Sequence, residues 1–438
     1  MGSYVPSTAA ERQRMLESIG CANMEALFGM IPESVPKYPK LGIPAGKSEF
    51  DVRRELEALA EKNVAFRSIF RGAGAYSHYI PSIVKQITAK EAFVTAYTPY
   101  QAEISQGILQ SIFEFQTMIC ELTGMDSANA SVYDGASATA EAAAMCRDRK
   151  RMRTLISAAC HPDVIATVKT YCWAADCEIQ VIPEKDGATD LEALSGLLGE
   201  DSACVILSQP NYFGVLEDAE AAAQAAHAAG AKFVLNVNPI AAAILKTPAD
   251  CGADIAVGEG QPLGLPLAFG GPYLGFMACK AAMTRRLPGR IVGETTDVDG
   301  RRAFVLTLQA REQHIRREKA SSNICSNQAW CALTASVYLA AMGPEGLMKA
   351  ARQCMDNAHY LACELGRVPG FERRYARRFF HEFVTECPVD PVLLNEKLAA
   401  HGVLGGLPVN SGILWCATEQ NTKADIDRLI TLIKEAIA

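Results

Sequence analysis

The sequence predicts an α/β protein with a mostly parallel sheet, preceded by a helical arm and followed by a smaller α+β segment. Three observations predict it. Between about residues 130 and 280, short apolar runs of strand character alternate with helical stretches, and strands separated by helices imply parallel pairing with both faces covered. After about residue 330 the pattern turns to mixed strands and helices. Residues 1 to about 70 are polar-rich and helical, with Pro and Gly breaks between Ile31 and Gly46. The expected domains are therefore 1–70, 71–330 and 331–438.

In the arm, DVRRELEALAEKN reads as a short amphipathic helix, and the arm as a whole suits wrapping a partner. The next element starts at Thr98, a helix cap with Pro99 in the first position and Gln101 three residues on. Apolar residues recur at Ile104, Ile108, Ile112, Phe115, Ile119 and Leu122, a helical period, and Gly124 ends it. Then TLISAA, EIQVIP, CVILSQ, KFVLNVN, DIAVG and YLGFMAC read as strands. The last segment offers a helix through WCALTASVYLAAM, strands FFHEFVTEC and GILWCAT, and helices DPVLLNEKLAAH and KADIDRLITLIKEAI. There is no internal repeat and no low-complexity tract.

Composition narrows the function classes. The chain has 438 residues, 49% hydrophobic and 21% charged, enough to bury a sizeable core. A formal charge of -7 argues against nonspecific nucleic-acid binding, which needs a basic surface. The 15 cysteines include no C-x-x-C pair, which speaks for reduced, indifferent thiols rather than a zinc site. The N-terminus lacks an apolar signal core, and the apolar part of the longest uncharged run falls short of the roughly 20 residues a membrane span needs. A cytoplasmic protein is expected.

A large α/β domain before a small α+β domain is the layout of pyridoxal-phosphate (PLP) enzymes of the aminotransferase type, fold type I, with a seven-stranded sheet. Such an enzyme needs a lysine for the imine and an acid for the pyridine nitrogen. The strand KFVLNVN offers Asn236 where the acid belongs. The next strand leads to Gln261 and Pro262 about where the lysine belongs. A neutral amide cannot hold a pyridinium proton as a carboxylate does, and neither glutamine nor proline forms an imine. Both losses point to a PLP-type fold without its own cofactor. Lys246 and Lys280 are nearby in sequence and read as ordinary surface lysines.

Three further stretches carry chemistry. Asp134-Gly135-Ala136-Ser137 opens a helix whose free N–H groups suit an anion, but small residues at a helix start are common and packing or capping is the stronger reading. In AYTPYQAEISQ, Tyr97, Thr98, Tyr100, Gln101 and Glu103 crowd a helix start, either as ligand-facing groups or as a capped helix with packed tyrosines. Arg311, His314, Arg316, Arg317 and Lys319, with Arg285, Arg286 and Arg290 upstream, form either a patch for an acidic partner or a solvated face balanced by Glu312 and Glu318.

AYTPYQAEISQG, DIAVGEGQPLGLPLAFGGPYLGF and LQAREQHIRREKASSNICSNQA resemble signature stretches of the glycine cleavage P-protein, in its N-terminal half or alpha subunit, over nearly the whole chain. The resemblance implies a decarboxylase subunit working with a PLP-bearing beta subunit in an alpha2beta2 assembly. Glycine would lose carbon dioxide, and its aminomethyl group would pass to the lipoyl arm of H-protein. It also implies that Tyr97, Thr98, Pro99 and Tyr100 face the partner's pocket. Tyr97 and Tyr100 would line the glycine site, with Glu103 orienting the loop and Thr98 and Gln101 beside it. Arg311, His314, Arg316 and Lys319 would lie near H-protein or the subunit interface. Two other readings remain open: a self-sufficient PLP enzyme using Lys246, Lys280 or Lys319, and a scaffold that only binds a partner.

Overall fold

Thr8 opens the first helix with a reciprocal cap: Glu11 N donates to Thr8 Oγ1 at 3.3 Å while Thr8 N donates to Glu11 Oε2 at 2.7 Å. The computed structural model describes residues 6–32, 34–35, 42–268, 270–325, 327–410 and 412–437, so Phe269 and Ser326 of the quoted stretches and part of the Pro/Gly-broken segment lie outside it. The chain divides into two compact units, Met1–Val64 and Ala65–Ala438. The first holds α1 (Ala9–Ser18) and α2 (Glu49–Ala60), the latter capped by Ser48. Val52, Leu56 and Leu59 share one face of α2 by their i, i+4, i+7 spacing, and all three are exposed.

In the second unit α3 spans Gln106–Thr123 and ends on Gly124, whose φ of 70° is the left-handed cap expected. Its start differs from the sequence expectation. Thr98 caps nothing, the N-cap is Ser105, and Ile104 lies outside the helix, 79% exposed. The reason is tertiary. Gln106 bridges a neighbouring strand, its Nε2 donating to Phe304 O at 2.9 Å and its Oε1 accepting from Phe304 N at 2.8 Å. A capping box contributes only about 1 kcal/mol, less than this pair of anchored bonds with the turn over Gln101–Ser105.

The six predicted strands of the central segment form one sheet with a short seventh, Ser127–Ala128. We number them β1 (Ser127–Ala128), β2 (Arg153–Ser157), β3 (Ile179–Ile182), β4 (Ser202–Gln209), β5 (Lys232–Val237), β6 (Ile255–Glu259) and β7 (Gly275–Cys279). Their order is β1–β7–β6–β5–β4–β2–β3. β2 to β6 pair in parallel, and β7 runs antiparallel to β6 and β1. Alternate residues point to opposite faces, and both sets are apolar. Leu155, Val205, Phe233 and Leu235 face one core, and Ile156, Ile206, Val234 and Val257 the other. The second core is roofed by α4 (Gly135–Cys146) and α5 (Pro162–Ala174); the first takes α3 and α6 (Ala219–Ala228). The ribbon β8 (Val292–Thr296) and β9 (Arg302–Leu306) lies on α3.

The long helix α7 (Ala329–Leu365) breaks at Gly343, with φ 61° and ψ 176°, just before Pro344, which cannot donate a helical bond. Beyond it β10 (Glu382–Thr385), β11 (Leu407–Val409) and β12 (Gly412–Cys416) make an antiparallel sheet ordered β10–β12–β11. It buries Trp415 and Phe383 against α8 (Pro391–Ala400) and α9 (Lys423–Ile437), where Leu394, Leu429 and Ile433 close the core. Ser68–Ile69 pairs in parallel with Val403–Leu404, so the chain just after residue 65 is stitched to this C-terminal layer.

Candidate functional site

Parallel sheets bind ligands at the carboxyl ends of their strands, and a cavity of 340 Å³ stands there. The register sets its floor: Ser208 of β4 lies opposite Asn236 of β5. Asp134, Gly135 and Ala136 at the start of α4, His161 before α5, and Glu259 at the end of β6 make its walls, while Ala73–Tyr76 and Glu382 of β10 close it from the other side.

Glu259 holds three backbone N–H groups from three segments. Its Oε2 accepts from Gly135 at 3.0 Å, and its Oε1 from Gln261 at 3.0 Å and Leu274 at 2.9 Å. Glycine is required at 135 because a Cβ there would stand 2.8 Å from the Glu259 nitrogen. Enclosure pushes the Glu259 carboxyl up to about 7, over the opposing effect of those three bonds. Asp134 caps the same helix through Ser137 N at 2.7 Å.

Across the cavity, buried Glu382 accepts from Ala73 N at 2.6 Å and from the Tyr76 hydroxyl at 2.7 Å. Burial pushes Glu382 up to about 7 as well. His161 Nδ1 accepts from Asp163 N at 3.1 Å, so its Nε2 carries the hydrogen shared with Ala73 O at 2.9 Å. Ala73 thus has both backbone groups held, which is how an alanine persists at φ 59°. The His161 ring also meets Tyr212 edge-on, centroids 5.1 Å apart.

Gln261 is 1% exposed, and its amide is taken up by backbone. Oε1 accepts from Tyr76 N at 2.9 Å, and Nε2 donates to Tyr76 O at 3.0 Å and Leu265 O at 2.8 Å. Asn236 donates to Thr139 Oγ1 at 3.2 Å. Asn236 and Pro262 line the cavity, but no lysine or arginine does among the described residues. Lys246 pairs with Glu220, and Lys280 reaches Gly252 O at 3.4 Å. Lys319 is exposed. The arrangement offers two carboxyls titrating near neutrality and an imidazole, but among the described residues no amine that could form an imine.

The other sequence-predicted residues lie elsewhere. Tyr97 is 94% exposed, with Thr98, Gln101 and Glu103 also exposed. Tyr100 is half-buried with the Arg290 guanidinium 4.9 Å over its ring, and Arg290 pairs with buried Glu312. His314 Nδ1 lies 3.5 Å from the same Glu312 carboxylate. The tyrosine loop and the basic stretch therefore meet through Arg290. The structure also corrects the reading of a helix face balanced by Glu312: Glu312 is buried beneath the stretch, and α-helix there is confined to Gln313–Arg316. Arg311 is half-buried, donating to Leu308 O and Gly289 O, both at 3.0 Å. Arg316 and Lys319 remain exposed.

Sequence reasoning missed Tyr76, His161, Tyr212, Glu259 and Glu382. An acid within or at the end of an apolar strand run, as in FFHEFV and IAVGE, was the available signal for the two glutamates.

The family model for the glycine cleavage system P-protein matches residues 2–433. The chain is 50% identical over 444 residues to "Probable glycine dehydrogenase (decarboxylating) subunit 1" of Moorella thermoacetica, covering 100% of each. It is 49% identical over 438 residues to the protein of the same name in Desulfitobacterium hafniense, covering 98% of each. A crystal structure of glycine decarboxylase (P-protein) of the glycine cleavage system, in inhibitor-bound form, superposes with a TM-score of 0.93 at 44% identity, over 99% of this chain and 100% of that one. A glutamate decarboxylase from Lactobacillus brevis shares the fold at a TM-score of 0.68 and 13% identity, over 94% of this chain and 97% of that one. The fold is thus that of the PLP-dependent type I enzymes, and the chain belongs to the glycine cleavage system P-protein family.

Proposed function

We propose that this chain is the first subunit of a glycine decarboxylase, inactive alone, which completes an active site whose cofactor is held by a second subunit. The observation that carries this reading is the full-length identity to relatives named subunit 1. The name supports a partner subunit, and the resemblance supports an alpha2beta2 assembly that passes the aminomethyl group of glycine to lipoylated H-protein. PLP belongs to this fold's chemistry. Its assignment to the partner is supported by Gln261 and Pro262 at the lysine position and Asn236 at the acid position, with no imine-forming amine at the cavity among the described residues.

Within that reading the roles divide by exposure. Tyr97 projects outward and suits the partner's glycine site. Tyr100 anchors the loop through Arg290, with Glu103 beside it. Arg316 and Lys319, with His314, present positive charge to H-protein or the interface, whereas Arg311 shapes the segment from within. The exposed apolar face of α2 suits a subunit contact.

The test is reconstitution: this chain, the second subunit and lipoylated H-protein, assayed for glycine-dependent exchange of carbon dioxide. Activity only with all three supports the reading. Full activity without this chain, or activity and an imine absorbance from this chain plus PLP alone, overturns it.

A further inference from the structure

The N-terminus of a helix in a parallel α/β sheet is where such folds bind phosphate, because unpaired N–H groups and the helix dipole converge there. In this chain the position is filled from within. The start of α4 donates Gly135 N to Glu259 Oε2 at 3.0 Å and Ser137 N to Asp134 Oδ1 at 2.7 Å. Glu259 is not a casual neighbour. Its other oxygen is tied to Gln261 N and Leu274 N, so the carboxylate is fixed by the strand end and the following loop. Gly135 lies so close to the Glu259 backbone that a Cβ on it would stand 2.8 Å from the Glu259 nitrogen.

The rest of the cavity agrees. Its acidic lining consists of Asp134, Asp163, Glu259 and Glu382, with no lysine or arginine among the described residues to offset them. A phosphate dianion would find no cation in that lining and would meet carboxyl groups that repel it once ionised. The residues present therefore do not fit a PLP phosphate, quite apart from the missing lysine.

We infer that Glu259 is a built-in substitute for a phosphate at the start of α4, which makes this chain's own cavity refuse phosphate-bearing ligands. The consequence deepens the reading above, and rests on it: cofactor is directed to the partner subunit because this half is already closed by its own carboxylate. Glu259 is a positioning and excluding residue, with no bond made or broken.

The test uses the full chain without partner and without turnover, so its failure leaves the reconstitution result untouched. Peptide-resolved hydrogen exchange over residues 134–146 and the melting temperature are measured with and without inorganic phosphate, for wild type and Glu259→Ala. In wild type, phosphate is expected to change neither. In Glu259→Ala, exchange at the start of α4 is expected to rise by about tenfold, as for one lost charge-assisted hydrogen bond. Phosphate is then expected to slow that exchange and raise the melting temperature by mass action. A phosphate response in wild type overturns the inference whatever the variant does. So does a folded Glu259→Ala chain whose α4 start exchanges like wild type, or which ignores phosphate.

Discussion

Arg290 lies over the ring of Tyr100, 4.9 Å from its centre, and pairs with Glu312, whose side chain is 4% exposed. One arginine thereby holds together two loops separated by some two hundred residues. Removing one partner of a buried ion pair costs about 3–5 kcal/mol, because the other is left charged and unpaired. Glu312→Ala is therefore expected to lower unfolding stability by about that much in a urea titration. Glu312→Gln is expected to recover part of it.

Tyr97 is expected to behave oppositely. At 94% exposure its removal should shift stability of this chain by less than about 0.5 kcal/mol. Turnover of the assembled enzyme should fall with Tyr97→Phe or Tyr100→Phe if their hydroxyls serve the glycine site. Wild-type kinetics from both variants would remove that role.

Gln261→Ala leaves the Tyr76 N–H and two backbone carbonyls without their partner. The expected loss is about 1–3 kcal/mol. Limited proteolysis should show new cleavage near Gly74–Tyr76, which this amide ties to the loop after β6.

Glu382 gives a pH dependence with a definite sign. Its carboxyl titrates at about 7 in the fold, above the ordinary value of 4.5, because burial disfavours the charged form. The folded chain therefore holds a proton that the unfolded chain has already released. The stability from this group is fully present below pH 4.5 and is lost as pH rises through about 7. Glu259 acts in the same direction. In thermal melts between pH 5 and 8, Glu382→Gln should lose less stability than wild type. Equal slopes would mean that Glu382 is ionised in the fold.

On α2, Val52, Leu56 and Leu59 face solvent. Leu56→Asp with Leu59→Asp is expected to leave the fold of the second unit unchanged and to weaken association with the partner subunit at least tenfold, read by analytical ultracentrifugation. Unchanged association would assign the face elsewhere.

The sequence by itself determined six of the seven strands of the large sheet and most strands and helices of the C-terminal layer. Continuous short apolar runs, as strands buried on both faces require, and helices of period 3.6 are local signals that packing reinforces rather than overrides. Gly124 was legible for the same reason, since a left-handed cap is set by the residue itself. Tertiary structure alone decided the start of α3, because Gln106 found two strand bonds that outweighed a cap at Thr98. It also decided that Glu312 sits buried under Arg290, and that Glu259, Glu382 and His161 converge on one cavity from four separate stretches with Tyr76. Some of those meetings join residues far apart in the chain, Tyr76 and Glu382 by 306 positions, and no local pattern records which distant N–H a carboxylate will accept.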